Sequence, residues 1–245
     1  MPCFPRGEFV NVPGVETPGT VRSWHDGGVT AVSVRDQVCE LLASCPDGVL
    51  PLVHAGHPVL RREAGRYEGQ LGADFMAFID AMNTTMVVAP GVGLAAPQVG
   101  VSLAVAVMRD PGAADDADPR ERVAFPMRVL VNPVYEPVGD EKVSFFEGCL
   151  SVPGYQAVVA RWRRVRVMGW DETGAPVDEV LTGWPARIAQ HEIDHLRGVL
   201  YVDRAHLRSL STMENLAQWW SVSAHPHAAG EALGFPVEQQ GSWTQ

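Results

Sequence analysis

The chain has 245 residues and carries 19 Lys+Arg against 29 Asp+Glu, a net charge of −10, with 46% apolar and 20% charged residues. That length suits one domain with extensions or one large domain, and the acidic balance argues against DNA and membrane surfaces, whose phosphates need clustered Lys and Arg. No apolar run approaches the ~18 residues of a spanning helix, and the opening MPCFPRGEFVNVPG lacks the basic start and apolar stretch of a secretory signal, so a cytoplasmic protein without a membrane partner is expected.

In chain order, residues 1–29 are rich in Gly, Pro and Val without a sustained period and read as an extended arm. Thr30 to Cys45 places Ala31, Val34, Val38, Leu41, Leu42 and Cys45 on one helical stripe, and Pro46, Asp47 and Gly48 stop it. A second helix is predicted from Gly69 to Met86, with Leu71, Phe75, Phe78, Ile79, Met82 and Met86 on one face. GVGLAAPQVG (91–100) reads as a Gly-rich turn feeding a buried strand, Val101 to Met108. An acidic loop, Asp110 to Arg122, follows. Short strands are predicted at Arg128–Val131, Lys142–Phe146, Gln156–Ala160, Arg164–Trp170 and Val177–Leu181, with a hairpin turn at Asp171–Gly174. Helix returns at Pro185–Arg197 and at about Ala205–Val222. The pattern indicates an α+β fold with mostly antiparallel strands around a central helix and additional terminal helices. Its parts are an extension at 1–49, a body at 50–205, and a C-terminal helix and tail at 206–245.

The chemistry concentrates in the Pro185–Arg197 helix. His191 and His195 lie one turn apart, about 40° around the axis, so one metal ion can take a nitrogen from each. Glu192 is rotated away from that ion and reaches a water beside it. Ile188, His191, Glu192 and His195 also occupy the slots of a core-facing stripe. Burying two imidazoles and a carboxylate costs several kcal/mol by rough estimate unless compensated, and a metal compensates.

A catalytic metal usually has three protein ligands and leaves one position for water. The spacing HExxHxxGxxH is matched as far as Gly198, but its third ligand position holds Tyr201. Other proteases place a Glu ligand farther downstream, where Glu214 is the nearest candidate. Upstream, Cys149 in EGCLSVPG offers a thiolate suited to zinc or ferrous iron. Cys3, Cys39 and Cys45 have no zinc-knuckle spacing, and no disulfide framework is expected.

Three segments together resemble the peptide deformylase family: GVGLAAPQ at 91–98, EGCLS at 147–151 and QHEIDH at 190–195. The resemblance spans roughly residues 50–205 and implies that family's α+β fold. It implies removal of the formyl group from the N-terminal formyl-methionine of newly made polypeptides. By position, Cys149, His191 and His195 become the metal ligands and Glu192 the general base and acid. Gln98 and the backbone N–H of Leu150 become the oxyanion donors. Val92, Gly93, Gly148 and Ile188 fall in the substrate cleft, and Arg161 and Asp194 support the metal helix. One divalent ion is implied, with Fe2+ the expected physiological metal and Zn2+, Ni2+ or Co2+ the alternatives.

In that reading Glu192 takes a proton from water and delivers it to the leaving amine, so its pKa should lie nearer neutrality than a solvated Glu. Two rivals share the helix: a metallopeptidase with a downstream ligand, and a non-catalytic protein whose metal is closed by a fourth protein ligand. Arg161, Arg163, Arg164 and Arg166 read equally as a solvated face or a contact surface. Some relatives dock on the ribosome through a basic C-terminal helix, but few basic residues follow Asp203 here. The partner set expected is therefore a formyl-Met peptide, a transient ribosome contact at most, and no second copy of the chain.

Overall fold

The computed structural model describes residues 33–113 and 118–238, all within one compact unit. The arm read at 1–29 lies outside the described residues. Helix α1 (Val34–Ser44) opens on Ser33, whose hydroxyl accepts the Asp36 N–H and satisfies a free amide of the first turn. Its buried Val38 joins Phe78, Ile79, Met82 and Met86 of α2 (Phe75–Val88) in one apolar cluster. The helix expected from Gly69 starts six residues later. Gly69 (φ 89°) and Gly72 (φ 52°) are left-handed, so the right-handed coil begins only after a 3-10 turn at Gly72–Asp74.

The larger sheet contains β1 (Gly93–Ala95), β2 (Val105–Asp110), β3 (Phe125–Pro137), β6 (Arg164–Trp170) and β7 (Pro176–Thr182), in that spatial order and all antiparallel. The smaller sheet is β4 (Lys142–Cys149), β5 (Val152–Trp162) and β8 (Ser211–Thr212). Part of the segment read as a turn is an edge strand: Gly93, Leu94 and Ala95 pair with Met108, Val107 and Ala106. The run from Val101 joins the larger sheet only at Val105, because Ser102 and Ala104 spend their backbone groups on Gly65. Pro133 is tolerated inside β3 because it sits at a bulge. There Asn132 takes φ 49°, and its side chain bonds both the N–H and the C=O of Tyr67, at 2.7 and 2.8 Å.

The C-terminal helix expected over 205–222 is replaced by a broken path. The Ser209 hydroxyl accepts the Val158 N–H at 2.7 Å, and Ser211 pairs with Gln156 as β8. Bonds to β5 therefore replace the bonds a helix would make. Helical turns survive as a 3-10 turn at Leu207–Ser209, α4 (Met213–Asn215) and a π-turn at Leu216–Trp220. A short helix not anticipated from the sequence, α5 (His227–Leu233), packs Ala229 onto Val158 together with Phe235 just past its end. Beyond it, Glu238 bonds Ser144 of β4 through backbone and side chain.

The arginine cluster is spread over the end of β5, the bend at Arg163 and the start of β6. Arg161 is buried, Arg163 pairs with Glu121 and Glu141, and Arg166 pairs with Asp178. The described ends of the acidic loop are clipped by Arg122 on the buried carboxylate of Asp110, at 2.8 Å. Among the described residues, no helix is long and apolar enough to cross a membrane.

Helix α3 (Gly183–Leu196) packs on β1, β2 and β7 of the larger sheet and on β5 of the smaller. It ends in a Schellman motif. Gly198, left-handed at φ 73°, donates to the His195 carbonyl, and Val199 donates to that of Asp194. The stop falls directly after the second histidine and turns the chain back toward the first.

Candidate metal centre

The His191 and His195 rings stand 4.9 Å apart between centroids on adjacent turns of α3. Cys149 reaches them from the end of β4, where a register shift after Gly148 re-aims the strand. Its Sγ lies 3.2 Å from His195 Nε2, and the ligating atoms of Cys149, His191 and His195 all fall within 4.8 Å of one another. Among the described residues this is the group of His, Cys, Asp and Glu side chains with metal-binding spacing. Glu214, the downstream alternative, is exposed on α4 and outside it.

Glu147 orients the first imidazole. The Glu147 carboxylate accepts the Nδ1–H of His191 at 3.1 Å, which leaves Nε2 as the ring nitrogen that can meet an ion. Burial opposes the charge on Glu147, but Arg161 and Arg187 overcome it and hold the carboxyl well below the usual range. Arg161 donates to Glu147 at 2.7 and 3.0 Å and to Asp194 at 2.7 Å. Asp194 also receives Arg204 at 2.6 and 2.9 Å. This network ties the cysteine-bearing strand to the histidine-bearing helix. Arg161 and Asp194, expected to support the metal helix, are both members of it.

Gln98 is held with its amide facing the centre. Its Oε1 accepts the Ala95 N–H at 2.8 Å, which directs Nε2 toward Cys149 Sγ (3.5 Å) and Ser151 Oγ (3.4 Å). Ser151 N–H also points at the sulfur, 3.4 Å away. Leu150 follows Cys149 directly, with its side chain on the apolar cluster that includes Leu94.

Glu192 is 4% exposed and its Oε2 has no hydrogen-bond partner. Burial raises its pKa to about 7, against the pull of His191 and Arg161. Gly93, expected in the cleft, lies against this carboxyl: a Cβ there would stand 2.1 Å from Glu192 Oε1. Only a glycine lets β1 approach so closely.

The donor set fits a divalent ion. Burial disfavours a charged His191, yet Cys149 and Glu147 raise its pKa to about 10, so this ring must give up a proton when it binds an ion. His195 is driven the other way, chiefly by burial and then by His191 and Arg161, and is neutral as a ligand requires. Three protein donors leave a coordination position open among the described residues.

Val92 and Ile188 share one apolar cluster, Ile188 within it and Val92 at its margin. Gly148 is exposed at the end of β4. Tyr201, standing where the longer spacing has a histidine, faces His191 instead, with ring centroids 6.2 Å apart and planes 20° apart. Glu147, Arg187 and Tyr201 escaped the sequence reading. Two of them had a legible signal: Glu147 is two residues before Cys149 on a strand, and Arg187 is one turn before His191 on the helix.

This α+β fold brings together a thiolate, two imidazoles and a buried carboxyl, a group that could hold one metal ion and that contains the HExxH pattern. The polypeptide deformylase family model matches residues 49–210, and the chain belongs to that family. It is 59% identical to peptide deformylase 3 of Streptomyces avermitilis over 207 residues, covering 83% of this chain and 91% of that one. Peptide deformylase 1 of Streptomyces coelicolor is 56% identical over 209 residues, 84% of this chain and 94% of its own. A crystal structure of a Met-Ala-Ser-bound class I type b peptide deformylase from Acinetobacter baumannii superimposes with a TM-score of 0.57 at 36% identity, covering 64% of this chain and 98% of that one.

Proposed function

We propose that this chain deformylates N-formyl-methionyl peptides with one divalent ion held by Cys149, His191 and His195, and with Glu192 as the proton carrier. The observation that carries the reading is the buried Glu192 carboxyl, unpartnered at Oε2, beside donors that lie within 4.8 Å of one another. An ion bound there supplies Lewis acidity toward the formyl carbonyl and a nucleophile at neutral pH.

The chain's own groups do the rest. Glu192, with a pKa of about 7, accepts a proton from water and returns it to the departing amine with little driving-force penalty either way. The Gln98 amide, locked by Ala95, and the Leu150 N–H donate to the oxygen on which charge develops. One such donor contributes roughly 3 kcal/mol. Val92 and Ile188 form an apolar wall that suits an unbranched Met side chain, and Gly148 leaves room at the rim. The strands β1 and β4 are edge strands of their sheets, so an extended peptide can add to either by backbone hydrogen bonds. The Met-Ala-Ser ligand of the Acinetobacter relative supports a peptide of this kind.

The test is anaerobic preparation with metal analysis and a formyl-Met-Ala-Ser assay on one sample. Glu192→Ala is expected to keep one metal per chain and lose about 10²–10⁴ of turnover. Near-normal turnover in that variant sinks the assignment.

A further inference from the structure

The HExxHxxGxxH spacing, broken at Tyr201, leaves a buried side chain at the centre that none of the chemistry above uses. Tyr201 is 1% exposed and belongs to the apolar cluster in which Cys149 and Val152 also pack. Its ring faces His191 at a 20° interplanar angle, and its hydroxyl donates to the Tyr155 carbonyl at 3.1 Å. It therefore meets both the helix that carries the imidazoles and the hairpin that carries the thiolate.

The geometry matters because one hydrogen bond does not fix a ring. The Nδ1–H bond to Glu147 sets the direction of one edge of His191 but leaves rotation of the ring plane about that direction. His195 meets His191 edge-on at 77°, and a contact of that shape restrains the plane weakly. An aromatic face lying nearly parallel resists that rotation, because tilting the imidazole drives its edge into the phenol ring. The Schellman stop at Gly198 and the 3-10 turn Tyr201–Asp203 bring this ring back to the first turn of the motif.

We propose that Tyr201 is a positioning residue of the centre: its ring fixes the plane of the His191 imidazole, and its hydroxyl tethers that ring to the cysteine hairpin. The inference rests on the ligand assignment proposed above. It separates two contributions, since Phe keeps the ring and Leu removes both ring and tether.

The probe is Co2+, read by chelator competition and by its visible absorption in the unsubstituted chain and in Tyr201→Phe, Tyr201→Leu and Cys149→Ala. Outer-shell partners of metal ligands typically contribute roughly 10–100-fold in affinity. Tyr201→Leu is expected to bind Co2+ more weakly by about that factor with an altered absorption band, and Tyr201→Phe to recover most of both. Unchanged Co2+ affinity and spectrum in Tyr201→Leu overturn the proposal, even if thermal stability falls, because a purely structural ring predicts that pattern. Equal losses in Phe and Leu overturn the role given to the ring. If Tyr201→Leu does not fold, Tyr201→Met takes its place as the variant that fills the space without a ring: weakened Co2+ binding with an altered band supports the ring, and unchanged binding and spectrum overturn it. A failure of the ligand assignment itself is distinct: Cys149→Ala then keeps the Co2+ spectrum of the unsubstituted chain, and the positioning role falls with it.

Discussion

Replacing Gly93 with alanine probes the closest approach in the centre. The added Cβ would stand 2.1 Å from Glu192 Oε1, 2.5 Å from its Cδ and 2.7 Å from its Cγ. Comfortable separations are roughly 3.5 Å, so carboxyl and strand must part by more than an ångström. The strand cannot retreat freely, because Gly93 is registered with Met108 of β2 and α3 packs on the same strand. Most of the shift therefore falls on the Glu192 side chain. A 1 Å misplacement of a reacting group can cost about 10²-fold, which corresponds to roughly 2.7 kcal/mol in the barrier. Overpacking costs a further ~1–3 kcal/mol of stability. Gly93→Ala should thus lose about a hundredfold in kcat/KM for a formyl-Met peptide while retaining one metal per chain, measured by steady-state kinetics and elemental analysis. Normal turnover at full metal occupancy would refute the reasoning, and so would a loss fully explained by missing metal.

Three other outcomes follow from the same contacts. Gln98→Glu keeps an oxygen for the Ala95 N–H but removes the donor aimed at the centre; kcat should fall by about 10²–10³, and the thermal midpoint in calorimetry should fall as well, because a carboxyl is buried where Gln98 is 2% exposed. Glu147→Gln leaves Arg161 and Arg187 buried without their shared carboxylate, and breaking a buried pair costs about 3–5 kcal/mol, to be read from urea unfolding of the metal-free chain. Stripping the metal with a chelator should lower the melting temperature, with recovery that rises with added divalent ion as ligand linkage requires; a midpoint indifferent to the ion contradicts binding at Cys149, His191 and His195.

Glycine, hydrogen-bonding side chains and apolar periodicity made the long elements readable. The stripe of Phe75, Phe78, Ile79, Met82 and Met86 marks α2 because its burial is local to one helix. The run after Ala205 misled because its serines bond to β5 across some fifty residues of chain, which no local periodicity registers. The edge strand β1 was hidden in a glycine-rich stretch for a related reason. Its glycine serves the close approach to Glu192 on another element, where the same residue in isolation signals a turn.

The sequence by itself determined that two imidazoles and a carboxylate share one turn of helix, since a spacing of four residues at 3.6 per turn settles that locally. It also carried three motifs whose order identifies the family. Tertiary structure alone decided that Cys149 comes within 3.2 Å of His195 Nε2, that Glu147 holds His191, and that Tyr201 turns a face to the ring where a third histidine was conceivable. Those contacts depend on strand register and on where the helix ends, and the pairing of distant segments is fixed by burial of the whole core rather than by any single stretch of chain.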